Sequence, residues 1–224
     1  MKHYLKNGAI CIIVAASALP ALTACKEASC KDLLHELVTA ESYTAESLVA
    51  DEDGSTRNIL KIAPDAIYLQ YVPDYQDIYL GDPSESYILY ENGVSFSYSH
   101  MIGAPDWDIS QIQMSEEEFK IGYETYKNGL GVFTDQGQSL IEVLAQIDEN
   151  FTIYMEQTEN GYQLISPFLR PQLSALEIDT IGMRAENDIL YLTWQNDYYV
   201  CSVTITDINT TTVSLPNDAR SSLS

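Results

Sequence analysis

The sequence predicts an α+β fold in which a large antiparallel sheet curves around a few helices. From Tyr43 onward, most segments alternate apolar and polar residues with a period of two, as half-buried strands do. Turn residues separate these segments, and Asn92-Gly93 between two alternating runs is the strongest hairpin signal in the chain. No internal boundary, low-complexity linker or clean repeat divides the sequence, so we expect one domain.

The first element along the chain has the features of a bacterial export signal. Lys2 and Lys6 precede an apolar run over residues 9–22, which is shorter than the roughly 20 residues that span a bilayer. A signal peptide is therefore predicted over residues 1–24. The sequence Leu22-Thr23-Ala24-Cys25 resembles the lipobox of bacterial lipoproteins. That resemblance implies a lipid such as palmitate on Cys25, which anchors the protein to the cell membrane on its extracytoplasmic side. The alternative is an ordinary secretory signal with an incidental cysteine.

Acidic residues dominate the part that remains after cleavage. The signal contains two lysines and no acid, so the other 200 of the 224 residues hold 33 acidic and 9 basic side chains, a formal charge of −24. Such a charge repels phosphates, which excludes a nucleic-acid partner. We favour solubility outside the cell as its role over recognition of a specific cationic partner.

Helix signals occupy three stretches. Residues 28–40 and 138–149 are amphipathic, and Ser115 with Glu118 has the spacing of a capping box at a helix start. Strands are predicted over residues 43–50, 57–63, 66–72, 77–80, 86–90, 94–100, 151–157, 162–166, 176–184, 189–195, 198–208 and 211–215. Residues 100–113 are less regular and predict no defined element.

The strand at residues 94–100 shows which residues share a face. Val94, Phe96 and Tyr98 fall on one side, and the intervening serines fall on the other. We expect the first side to be covered and the serine side to be wet, as in a sheet that curves around helices. Such a sheet either packs solidly or leaves an apolar cavity.

Cys30 and Cys201 are the cysteines that remain beyond the signal and Cys25. Cys30 shares a helical stripe with Leu37, and Cys201 shares a strand face with Val203, so both are expected to point into the core. The exported compartment permits a disulfide between them. The alternative is a pair of buried thiols that pack as small apolar groups.

The order of the elements has a counterpart in a known family. A leading helix precedes a strand on Ala45-Glu46-Ser47, two strands flank Pro64, and the run Leu-Tyr-Glu-Asn-Gly-Val-Ser-Phe-Ser-Tyr follows at 89–98. The chain ends with Asp-Ile-Asn-Thr-Thr-Thr-Val-Ser-Leu-Pro at 207–216. This order resembles the lipoprotein-carrier superfamily of LolA and the LppX and LprG lipoproteins. The resemblance implies a half-open antiparallel barrel that is lined with apolar side chains and covered by helices.

The resemblance implies one LolA-like domain at residues 28–218, between a lipidated tether at 25–27 and a tail at 219–224. Some members of the superfamily bind acyl chains or whole lipids in the cavity. If this chain has a cavity, its candidate lining residues are Tyr68, Tyr79, Tyr90, Phe96, Tyr98, Leu140, Leu144, Tyr191 and Trp194. The alternative is that these side chains simply fill a core.

Motifs for catalysis are missing from the sequence. It has neither a Gly-x-Ser-x-Gly nucleophile elbow nor a His-Glu-x-x-His metal pair. His35 and His100 are interpreted as a helix-surface and a loop-edge histidine. We therefore expect no enzyme, no cofactor and no metal site.

Two acidic groupings suggest other chemistry. Asp106-Trp107-Asp108 places an aromatic ring between acids, as carbohydrate sites often do, and its alternative is a solvated loop with the tryptophan packed beneath it. Residues 51–55 resemble the start of a calcium loop. Ile62 stands where that loop requires a glutamate, so we expect a hairpin tip instead.

The leading hypothesis is a lipid-anchored extracytoplasmic protein that binds a lipid or acyl chain in a half-barrel cavity without catalysis. The first alternative is a solidly packed protein that presents its acidic surface to a protein partner at the cell envelope. The second alternative is carbohydrate binding around Trp107.

Overall fold

One open antiparallel sheet organises the protein, whose computed structural model describes residues 27–75, 81–130, 139–217 and 219. In these residues the sheet has eleven strands: β1 (Tyr43–Ala50), β2 (Gly54–Ala63), β3 (Ala66–Tyr75), β4 (Ser84–Glu91), β5 (Val94–Met101), β6 (Asp108–Gln113), β7 (Met155–Thr158), β8 (Gly161–Leu164), β9 (Thr180–Glu186), β10 (Ile189–Gln195) and β11 (Val200–Thr206). The predicted fold class, α+β with a large curved antiparallel sheet, is confirmed.

The first strand lies in the middle of the sheet. The strand order is β6-β5-β4-β3-β2-β1-β11-β10-β9-β8-β7, so β11 returns to pair with β1 and sets Ser202 opposite Leu48. Two meanders, β1–β6 and β7–β11, are thereby joined into one sheet. Strands β6 and β7 are its edges in the described part, and the sheet does not close into a barrel.

Helices pack on one face of the sheet. In the described residues they are α1 (Glu27–Thr39), α2 (Glu116–Gly129), α3 (Leu140–Glu149), α4 (Phe151–Tyr154) and α5 (Arg170–Ala175), with a 3₁₀ turn at Pro167–Leu169. None of these helices is long and apolar enough to cross a membrane. The predicted capping box is present, since Ser115 Oγ accepts from the Glu118 N–H and the Glu118 carboxylate accepts from the Ser115 N–H.

We call the face that α1 and α3 cover the inner face, and the opposite one the outer face. Side chains alternate between the two faces along every strand. The main core lies on the inner face and includes Leu34, Leu37, Tyr43, Ala45, Leu60, Ile62, Leu144, Ile147, Leu190, Leu192, Trp194, Cys201, Val203 and Ile205. Each of these is at most 3% exposed. Full burial of one Leu or Ile side chain contributes about 2 kcal/mol, so this core dominates the stability of the fold.

A second, smaller core lies on the outer face under the C-terminal segment, which we define as residues 211–217 and 219. Its buried residues are Tyr87, Tyr98, Leu215 and Ala219. Thr211 Oγ1 lies 3.0 Å from Thr44 Oγ1, so the segment starts over β1. The segment therefore runs across the outer face from β1 towards β4 and β5.

The prediction for β5 is half right. Phe96 and Tyr98 are covered, as expected, but the C-terminal segment covers them on the outer face rather than helices on the inner face. Ser95, Ser97 and Ser99 occupy the inner face, and Ser95 is only 3% exposed. Alternation identifies which residues share a face, but it does not say which face the helices cover.

Several predicted boundaries differ from the observed ones. Residues 108–113 form the edge strand β6 instead of an irregular segment, because pairing with β5 supplies order that the local sequence does not encode. Residues 151–154 form α4, and the strand predicted there begins only at Met155. The strand predicted at 176–184 begins at Thr180, after α5, a helix that the sequence pattern does not predict.

Residues 211–215 alternate like a strand and yet form none. Thr211 and Leu215 are buried, and Val213 is partly buried, while the residues between them are exposed. An extended segment laid over the outer face requires the same period of two as a paired strand. The predicted strand at 77–80 lies outside the described residues, as do the predicted signal peptide, Cys25 and the end of the tail.

Candidate ligand-binding face

The inner face divides into a packed half and an open half. The helices fill the half over β1, β2 and β9–β11. Over β3–β6, the described helices leave Leu69, Tyr71 and Ile88 only half-buried, and Ile112 is 52% exposed. Leu69 and Ile88 also pack against the main core, so the open half continues that core as a partly exposed apolar surface.

Serines line most of the open half. The strand register places on the inner face a set that we call the serine floor: Ser84, Ser86, Ser95, Ser97, Ser99 and Ser110. Within it, the Ser86 and Ser99 hydroxyls form a hydrogen bond of 3.3 Å across β4 and β5. A serine side chain is short, so the floor lies lower than the longer side chains beside it. The open half therefore presents short hydroxyl side chains beside the partly exposed apolar side chains of Leu69, Tyr71 and Ile88.

Helix α2 closes one end of the open half. Tyr90, on the inner face of β4, stacks on Phe119 of α2 with ring centroids 5.1 Å apart and planes at 19°. The phenols of Tyr43 and Tyr123 donate to backbone carbonyls and join α2 to the segment that begins β1. Burial raises the pKa of Tyr123 to about 12 and raises the pKa of Tyr43 further. Both phenols are therefore protonated donors at neutral pH.

The structure brings together only part of the predicted lining set. Four of its members lie on the inner side: Tyr90, Leu140, Leu144 and Trp194. Four others lie on the outer face, so the prediction that they line the same cavity is wrong: Tyr68, Phe96, Tyr98 and Tyr191. Tyr79 lies outside the described residues. Alternation with a period of two shows which aromatic residues share a face of their own strand. Residues that line one cavity must also lie on the same face of the sheet in every strand.

The sequence pattern did not predict the serine floor as a site. The alternation of Ser95, Ser97 and Ser99 is visible in the sequence, and it was the available signal. From the sequence alone this alternation indicates a wet face, because helices are expected on the aromatic side of β5. Ser110 could not be placed beside these residues, since β6 was not predicted as a strand.

Trp107 does not form an exposed platform between two acids. Its ring stacks on His100 with centroids 4.6 Å apart and meets Tyr87 at 5.8 Å, within the second core. Asp106 and Asp108 are exposed on either side of it. This geometry favours the packed-loop alternative over a carbohydrate site at Trp107.

Cys30 and Cys201 are both buried, and they are thiols rather than a disulfide. Of the two alternatives that the sequence left open, the structure therefore has the pair of buried thiols that pack as small apolar groups. Burial raises the pKa of the Cys201 thiol to about 12. Because the thiolate is the reactive form of cysteine, Cys201 is a packing group and a poor nucleophile.

The acidic hairpin tip is stabilised by its own backbone. Asp51 Oδ1 accepts from the N–H groups of Asp53 and Gly54, at 2.8 and 3.0 Å, and Asp51 Oδ2 accepts from the Tyr75 hydroxyl. These hydrogen bonds, that from Asp53 first, hold the pKa of Asp51 below its usual value. In the described parts of the chain, no group of three or more His, Cys, Asp or Glu residues could hold a metal ion.

Comparison with known proteins assigns no family. No protein-family model matches this chain, and no curated protein is significantly similar to it.

Proposed function

We propose that this protein is a lipid-anchored extracytoplasmic binding protein that holds a lipid or acyl chain against the open half of the inner face. The observation that carries the proposal is the partial exposure of Leu69, Tyr71 and Ile88 beside the main core, in a sheet that does not close. Partly exposed apolar groups that continue a core are a favourable surface for an apolar ligand.

Burial of apolar surface would supply the binding energy. Each 100 Å² of apolar surface that leaves water contributes about 2.5 kcal/mol. The serine floor adds hydroxyl groups that can donate to, or accept from, the polar end of an amphiphile. Its hydroxyls favour a ligand that has both an acyl chain and a polar group, such as an ester or a carboxyl. No bond is broken in this function.

Sequence features support the location and the ligand class. The lipobox-like run ending at Cys25 favours attachment to the membrane through an N-terminal lipid. The resemblance to the lipoprotein-carrier superfamily favours a lipid as the ligand, although a fold by itself does not carry a function. Helix α1 begins at Glu27, so the described domain follows Cys25 closely.

Lipid co-purification tests the proposal. The chain from residue 26 onward is purified from a bacterial host without detergent, extracted with organic solvent and analysed by mass spectrometry. We expect near-stoichiometric lipid in the unmodified chain. Ser97→Phe, which fills the serine floor, should reduce the lipid at least tenfold. The matched control is Ser202→Phe on the outer face, which should retain it.

Two results would overturn the proposal. One is an unmodified chain that carries no lipid and takes up no fluorescent fatty acid. The other is equal lipid content in the Ser97→Phe and Ser202→Phe variants. Either result would favour the alternative of a solidly packed envelope protein that acts through its acidic surface.

A further inference from the structure

A trough crosses the outer face over strands β8–β11, away from both cores. Its volume is about 650 Å³, within the range of small-ligand sites, and it is open to solvent on one side. Its floor is a register row, a line of residues that lie opposite one another on neighbouring strands. In this row Thr193 lies opposite Gly182 on one side and opposite Ser202 on the other. Four strands spaced by about 4.8 Å give the trough a length of roughly 14 Å.

Two further register rows form the walls. Arg184 and Tyr191 face each other along one side, with Thr204 beside Tyr191. Thr180 and Gln195 face each other along the other side. Because the rows run across the strands, the trough is elongated at right angles to the strand direction.

Gly182 makes room for the side chain of Thr193 in the floor of the trough. A Cβ atom at this position would lie 2.7 Å from Thr193 Oγ1, so the threonine hydroxyl points over the space that the glycine leaves. The backbone of Gly182 lies within strand β9 and does not require glycine, since its φ is outside the left-handed region.

The lining combines polar groups with apolar surface, which favours a neutral ligand that has both hydroxyl groups and less polar faces. Amide and hydroxyl groups are spread along a lining whose surface is otherwise largely apolar carbon, and Gln163 Nε2 donates to Thr180 Oγ1 only over a long 3.4 Å. The charge of Arg184 is already engaged, since its guanidinium lies 2.9 Å from Glu186 Oε2 and 4.1 Å from the centroid of the Tyr191 ring. An acyl chain here would bury hydroxyl and amide groups without partners, at a cost of about 1–3 kcal/mol each.

We propose that this trough binds a neutral oligosaccharide of about three sugar units along its length. Sugar hydroxyls would pair with Gln163, Thr193 and Gln195, and the less polar faces of the sugar rings would contact Tyr191 and Val200. The site is separate from the open half of the inner face, and the two proposals stand or fall independently.

Calorimetric titration of the full chain in lauryldimethylamine oxide micelles tests this site. The probes are cellohexaose, maltohexaose and chitohexaose. We expect at least one of them to bind with a Kd below about 1 mM. Gly182→Gln, which fills the trough, should weaken that binding at least tenfold, and Gln195→Ala should weaken it several-fold. Near-UV circular dichroism checks that each variant retains its fold.

The matched control is Ser97→Phe on the inner face, which should bind the oligosaccharide as the unmodified chain does. The proposal is overturned if none of the three probes binds. It is also overturned if folded Gly182→Gln and Gln195→Ala variants both bind with unchanged affinity.

Discussion

His100 and Trp107 stack face to face, with ring centroids 4.6 Å apart and planes at 20°. The imidazole also fixes the chain around it, because Nδ1 lies 3.2 Å from Glu85 Oε1 and Nε2 lies 2.7 Å from the carbonyl oxygen of Ala104. His100 therefore joins the β5–β6 connection to the second core.

Removal of this imidazole should destabilise the protein. We expect His100→Ala to lower the free energy of unfolding by about 1–3 kcal/mol, since it removes a ring stack and leaves the partly buried Glu85 with fewer hydrogen bonds. Urea denaturation measures the change. The control is His35→Ala, whose side chain is 65% exposed although it lies 2.8 Å from Asp148. An exposed contact of that kind contributes about 1 kcal/mol at most. Equal losses of unfolding free energy in His100→Ala and His35→Ala would therefore contradict the assigned role of His100.

The C-terminal segment should contribute stability through Leu215. This side chain is 9% exposed and closes the second core over Tyr87 and Tyr98. We expect Leu215→Ala to lower the free energy of unfolding by about 2–4 kcal/mol, as other deletions of buried leucine side chains do. Ser214→Ala, at the exposed neighbouring position, should change it by less than about 0.5 kcal/mol. A urea midpoint that Leu215→Ala leaves unchanged would show that the segment is not packed in solution.

The elements that the sequence identified best are those whose turns are also encoded locally. Strands β1 and β10 match the predicted residues 43–50 and 189–195 without a shift, because alternating runs there end at acidic, Asn or Gly-containing turns. Helix α2 begins where the capping box predicts, since Ser115 and Glu118 satisfy each other's backbone groups. Each of these signals acts within a few residues of the chain.

The site was harder to predict because it depends on partners far away in sequence. The covered side of β5 is decided by the C-terminal segment, more than 100 positions later, and no local pattern reports that contact. Ser97 and Ser110 become neighbours only through the pairing of β5 with β6. Long-range pairing, rather than propensity, thus determines which side chains meet on the open half of the inner face.

The two buried cysteines should be unreactive until the protein unfolds. The chain from residue 26 onward contains only Cys30 and Cys201. With its pKa raised to about 12, the Cys201 thiol is ionised in roughly one molecule in 10⁴ at pH 8. We expect Ellman's reagent to label almost no thiol in the native protein at pH 8 and to label both in 6 M guanidinium chloride. Absence of labelling in denaturant would show that the two residues form a disulfide.

Asp51 should make the hairpin tip sensitive to acid. Its pKa is lowered in the folded protein, so its contribution to stability is present above the unfolded-state pKa and is lost as the pH falls through the folded-state value. In Asp51→Asn a neutral amide replaces the carboxylate, so this side chain resembles the protonated acid. We expect this variant to melt below the unmodified chain at pH 7 and together with it near pH 2. Glu52→Gln, at an exposed neighbouring position, should have the melting temperature of the unmodified chain at both pH values. If Asp51→Asn lowers the melting temperature equally at both pH values, the charge effect is contradicted.

Cys25 should be the site of lipid attachment and the reason for membrane retention. A full chain expressed in bacteria with radiolabelled palmitate should incorporate the label and sediment with membranes. Cys25→Ala should lose the label, because the cysteines that follow residue 25 are the buried Cys30 and Cys201. Cys30→Ala is the matched control and should keep both the label and the membrane location. Label that persists in the Cys25→Ala variant would contradict lipid attachment at Cys25, and an unmodified chain that takes up no label would favour the alternative of an ordinary secretory signal.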